Sequence, residues 1–150
     1  MIRAVAAFAI LALFAIAGGF LYRTISAPEG EFGGVSLRIE YALTPAEREL
    51  GLGGRSEVPE GYGMLFVFPQ AGKHGFWMKD MLVPIDIFWL DAQGHVVSIA
   101  PEVATSSYPH VFYPSVPANL VLETRAGFAA AHGIATGTLL SLKKIPTVSK

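Results

Sequence analysis

Hydrophobic positions fall into two regimes along this chain. Residues 4–22 are almost all apolar and are bounded by Arg3 and Arg23. Beyond them the apolar residues come in short bursts punctuated by Gly, Pro and Asp/Asn. Val35, Leu37, Ile39 and Tyr41 alternate with Ser36, Arg38, Glu40 and Ala42, the period-two pattern of a strand with one wet face. Thr44, Pro45 and Glu47 form a capping box with proline at the first helical position, which predicts a short helix stopped at Gly51. An apolar strand is expected over 63–68, closed by Pro69, and another over 85–90, starting just after Pro84, where proline is tolerated. Residues 91–94 read as a hairpin loop returning through 95–99. Residues 119–123 and 138–143 read as further strands, with a short helix over 126–132 closed by Gly133. The 101–117 stretch has no periodicity and reads as an ordered covering or functional loop.

Short strands at this spacing predict a mainly β domain, a compact antiparallel barrel or sandwich with two short helices, preceded by an N-terminal hydrophobic helix. The expected organisation is a signal peptide or transmembrane anchor over 1–23, a Gly/Pro-rich linker over 24–34, the β domain over 35–143 and a polar tail over 144–150. The 4–22 run is just long enough to span a bilayer as a helix. It also reads as a signal peptide with Arg3 as its charged region and Ala15-Ile16-Ala17 as a small-x-small site. Apolar residues continuing through Phe20 and Leu21 favour an uncleaved anchor. Arg3 and Arg23 nearly balance, so the segment specifies its orientation only weakly. The expectation is export, with the remainder outside the inner membrane of a bacterial cell, in the periplasm or beyond, and the membrane as a partner if the segment is retained.

Composition narrows the function classes. Eleven Lys/Arg against twelve Asp/Glu, with no basic block, offer no electrostatic face for nucleic acid. The absence of cysteine excludes disulfides, a thiolate nucleophile and Cys-based metal sites. The four histidines, His74, His95, His110 and His132, lack H-x-H or H-x-x-x-H spacing, so no metal or cofactor is expected. A Ser-His-Asp trio can be drawn through His110 and Asp86, but there is no G-x-S-x-G elbow to support it.

The chemistry concentrates in 74–90, H-G-F-W-M-K-D-M-L-V-P-I-D-I-F-W-L. Asp86 interrupts an apolar run of the kind found in strands buried on both faces. A lone carboxylate there is costly to ionise without a partner, and Lys79 is the nearest cation in sequence, so a partly buried Lys79–Asp86 pair is expected. Arg55 and Glu123 also lie in or beside apolar segments. One reading makes these four a buried ion-pair network that holds strand register. The other makes them a ligand site in which Arg55 and Lys79 hold an anionic or polyhydroxyl group and Trp77 offers a stacking face. Lys79 with Asp86 as a hydrolytic acid/base pair is the enzymatic alternative.

The blocks G-M-L-F-V-F-P, F-W-M-K-D-M-L-V-P-I-D-I-F-W-L-D and V-L-E-T-R-A-G-F together resemble the uncharacterised DUF192 family over roughly residues 35–142. The resemblance implies a compact, mostly antiparallel β domain, often exported in bacteria, and no established activity. Its signature positions here are Arg55, Gly63, Met64, Phe66, Trp77, Met78, Lys79, Pro84, Asp86, Glu123 and Gly127. The chain departs from the pattern at Gly53 and Gly54, at Asp80 and Met81, where the family usually has Asn-Thr, and at Arg125. The candidate ligand-binding residues are therefore Arg55, Trp77, Lys79, Asp86 and Glu123. The expected role is a non-enzymatic binding module for a small polar ligand or an envelope partner, with a purely structural or interaction domain as a further alternative.

Overall fold

The structure, a computed structural model, describes residues 29–148. The apolar 4–22 segment and the helix expected there lie outside the described residues. Among those residues no helix is long and apolar enough to cross a membrane.

The strands are β1 (Glu29–Phe32), β2 (Val35–Ala42), β3 (Tyr62–Gly72), β4 (Phe76–Trp77), β5 (Ile85–Leu90), β6 (Val96–Val103), β7 (Val111–Phe112), β8 (Ala118–Arg125) and β9 (Leu140–Leu142). The helices are α1 (Pro45–Leu50) and α2 (Phe128–Ala131). Seven strands form one sheet in the order β6-β5-β8-β3-β2-β1-β9, and β4 pairs with β7 in a separate ribbon.

The fold is mainly β, and the main sheet curls into a half-barrel. Its edges meet at one end, through the His95↔Leu139 bridge and bonds from Val96 N–H to the Thr138 carbonyl and from Leu140 N–H to the Gly94 carbonyl. The sheet is mostly antiparallel, as expected, with one exception: β2 and β3 are parallel. The chain between them carries α1 back along the sheet and so re-enters in the same direction, as a crossover must. The 24–34 stretch is not all linker either, because β1 pairs with both β2 and β9 and its Phe32 is fully buried. Strand β3 runs past Pro69 to Gly72, with a register shift after Val67 where the proline cannot donate to the ladder.

Strand alternation divides the interior into two cores. Leu65, Val67, Phe88, Leu90, Leu120 and Leu122 face one side and pack on Phe32 and on Phe128 of α2. That core draws on both sheet edges, Val96 from β6 and Leu140 from β9, so it is the one the sheet curls around. Ile145 and Val148 of the expected polar tail pack against it. On the other face Met64, Phe66, Ile85, Ile87, Trp89 and Val121 meet Leu52, Phe76 and Met78 from the covering segments. Burial on both faces explains why β5 is apolar at nearly every position.

Candidate functional site

Asp86 has no cation partner among the described residues. It is fully buried on the curled-in face, where its Oδ1 accepts the Glu102 N–H at 2.7 Å and the Gly127 N–H at 3.1 Å. Its Oδ2 accepts the Ala129 N–H at 2.7 Å. Two of these donors belong to the first turn of α2, whose N-terminal amides have no partner within the helix. The third is freed where the β5–β6 register shifts between Ile85 and Ile87, and Glu102 there takes a left-handed φ of 49°. The carboxylate thus ties a bulge to a helix start, and backbone amides do the work assigned in the sequence to Lys79.

Lys79 is instead half exposed and reaches Glu49 of α1 at 3.8 Å. The expected Lys79–Asp86 pair is therefore not formed. Arg55 is held elsewhere, by Glu40 at 2.8 Å and by the Tyr62 hydroxyl at 2.7 Å, while Tyr62 also donates to Glu40. The Arg55 bond lowers the Glu40 pKa, the largest of several influences on it. Two glycines before Arg55 still leave it firmly placed, because the Gly54 N–H, at a φ of 74°, bonds the Asp80 carbonyl at 2.8 Å. Asp80 itself has a φ of 58°, a conformation that Asp tolerates and Asn favours.

Glu123 behaves differently from Asp86. It pairs in register with Met64 and Ile87 and so faces the opposite side of the sheet. Only 4% of it is exposed, and its Oε2 has no hydrogen-bond partner among the described residues. Burial pushes its carboxyl up from 4.5 to about 8, against opposing pulls from the Arg55 charge and the Leu52 amide. It is a largely protonated acid at neutral pH.

Glu123 lines a cavity of about 300 Å³ between α1, the loop after it, and the 74–81 segment. Thr44 caps α1 and Gly51 ends it at a φ of 52°. A Cβ at Gly51 would lie 3.3 Å from Phe66 Cζ and 3.6 Å from Glu123 Oε2, so glycine lets this turn close over the carboxyl. Phe66, Phe68, Phe76 and Trp77 give the cavity aromatic walls, with Arg48, Glu49 and Lys79 also lining it. His74 stacks on Phe68 with ring centroids 3.6 Å apart, and the Arg48 guanidinium lies over the same ring at 5.2 Å.

Of the five candidate residues, the cavity gathers Trp77, Lys79 and Glu123, while Arg55 and Asp86 do not line it. Sequence reasoning missed Arg48, Glu49, Phe68 and His74. The available signal was the mostly polar, capped Pro45–Leu50 segment, set directly before the Gly51, Gly53 and Gly54 run; as α1 it has no buried residue. Such a helix covers something other than core.

These features sit within a recognised sequence family. The model of DUF192, described as "Uncharacterized ACR", matches residues 27–142, and the chain belongs to that family. Among solved structures, it is similar to one from Sinorhizobium meliloti 1021 described as a candidate transcription regulator: 26% identity, 76% of this chain and 90% of that one covered, TM-score 0.71. It is also similar to a protein of unknown function from Novosphingobium aromaticivorans DSM 12444: 28% identity, 75% and 83% covered, TM-score 0.69. No curated protein matches the sequence.

Proposed function

We propose that this chain is a non-enzymatic binding module, exported or membrane-anchored, that takes a small polar ligand in the Glu123 cavity. The observation that carries the reading is a buried carboxyl whose Oε2 has no hydrogen-bond partner among the described residues, in the lining of a cavity with aromatic walls. A polar group left unsatisfied in a protein interior costs about 1–3 kcal/mol, a cost that a ligand's polar group would relieve. The cavity volume lies at the lower end of small-molecule sites, which suits a compact ligand rather than a polymer or protein.

The hydrolase alternative loses its acid/base unit, because Lys79 and Asp86 are held apart by different partners. The description of the Sinorhizobium protein does not transfer readily, since eleven Lys/Arg against twelve Asp/Glu give no basic face for DNA. Export rests on the charged-then-apolar pattern of residues 1–23. Thermal-shift screening of polar metabolites and glycans against wild type and Glu123→Leu tests the binding role. A compound that stabilises only the wild type supports it, and a full screen without any stabilising compound refutes it. Fractionation of cells expressing the tagged chain tests export, with recovery only in the cytosol as the contrary result.

A further inference from the structure

A protonated carboxyl has one hydrogen to donate, and Glu123 Oε2 has no hydrogen-bond partner among the described residues. A ligand that carries an acceptor into the cavity would take that hydrogen.

The charges facing the cavity indicate which acceptor. Arg48 and Glu49 come from α1, and Lys79 and His74 from the covering segment. Arg55 acts on Glu123 from the side, with its charge answered by Glu40. With Glu123 protonated, the Lys, Arg, Asp and Glu side chains of the lining are two cations, Arg48 and Lys79, against one carboxylate, Glu49. Both Arg48 bonds, to the Leu43 and Val67 carbonyls, leave from Nη1, so its other nitrogens keep donors to offer. An excess of positive charge disfavours a cationic ligand and favours an anionic acceptor. The rest of the lining, Phe66, Phe68, Phe76 and Trp77, suits an apolar body.

We propose that the cavity binds a small carboxylate-bearing molecule with an apolar body, its carboxylate accepting the Glu123 hydrogen while Arg48 and Lys79 balance the charge. This rests on the reading of the cavity as a ligand site. No bond is made or broken; one proton is shared between two carboxyl groups, as when neighbouring acids cannot both ionise. The complex therefore forms from the protonated protein and the ionised ligand.

The test is calorimetric titration and thermal shift of the full-length chain in mild detergent. Benzoate and phenylacetate serve as probes, with benzylamine, benzyl alcohol and glucose as the competing chemistries. Benzoate or phenylacetate should bind, and its apparent Kd should rise about tenfold between pH 7 and pH 9 as Glu123 loses its proton near pH 8. Glu123→Gln, which keeps a donor, should retain binding and lose that pH dependence. Glu123→Leu should fold and lose binding. Tighter binding of benzylamine, benzyl alcohol or glucose would overturn the ligand class while leaving the cavity a site. Binding by none of the probes would overturn both readings. Carboxylate binding with the same pH profile in Glu123→Gln would remove Glu123 from the recognition.

Discussion

Asp86 and Glu123 are near neighbours on adjacent strands, since Asp86 pairs with Thr124 and Ile87 with Glu123. One step of register places them on opposite faces of the same sheet. Both are buried, yet one accepts three backbone N–H bonds and the other leaves an oxygen with none. Burial is shared, so burial alone does not distinguish a structural acid from a candidate functional one. The difference lies in what the local backbone offers. A bulge and a helix start present three amides to Asp86, whereas the backbone pull on Glu123 comes from the Leu52 amide and leaves Oε2 without a partner among the described residues.

Removing each carboxyl should therefore have opposite consequences. Asp86→Ala leaves the amides of Glu102, Gly127 and Ala129 unsatisfied, a loss of about 3–9 kcal/mol at the usual cost per buried group. That is enough to unfold a marginally stable domain. Urea denaturation of Asp86→Ala beside Glu123→Leu would show it, and equal losses at the two sites would erase the contrast.

The second prediction concerns pH. An acid whose native pKa lies near 8, above its ordinary 4.5, leaves the native state holding more protons than the unfolded state between those values. Its contribution to stability is intact below about pH 4.5, falls as pH rises, and is fully lost above about pH 8. Glu123→Gln removes that titration. The variant should match wild type near pH 4 and exceed it by several kcal/mol, as an order of magnitude, at pH 8 and above. Melting temperatures across this range check it, and a difference that does not grow with pH would mean the carboxyl ionises freely.

Much of the fold is legible in the residues because it follows from local chemistry. The alternation in β2, the capping box of α1 and the position of β5 after Pro84 all stand as the sequence predicts. The parallel β2–β3 pairing and the capture of β1 between β2 and β9 were not legible, since both depend on where distant segments meet. For the site, composition identifies Asp86 as an acid that needs partners. It cannot show that those partners are backbone amides, because every residue except proline carries one. Trp77, Lys79 and Glu123 do meet at one cavity. Arg48 was not weighed and His74 was set aside among the scattered histidines, because neither belongs to a spaced motif.

A smaller effect is expected at Arg55, whose positive charge is one of the influences opposing the upward shift of Glu123. Arg55→Met should move the Glu123 titration still higher and let the Glu40 carboxyl return upward, as the Arg55 bond is the main influence lowering it. The Arg55–Glu40 pair is about a third to a half exposed, so its loss should cost only about 1 kcal/mol. Carboxyl carbon NMR titration of wild type and Arg55→Met separates the two shifts. An unmoved Glu123 would show that the Arg55 charge does not reach it, leaving burial and the Leu52 amide to set its titration.

The smallest effect should come from Lys79. Its bridge to Glu49 spans 3.8 Å and both side chains are about half exposed or more, so Lys79→Ala should change stability by less than about 0.5 kcal/mol. A lysine compensating a buried Asp86 would behave otherwise, because its loss would strand a charge and cost about 3–5 kcal/mol. Chemical denaturation of this one variant therefore separates the two arrangements. A near-neutral result leaves Asp86 to its amides and frees Lys79 for the cavity, where its loss should weaken carboxylate binding without disturbing the fold.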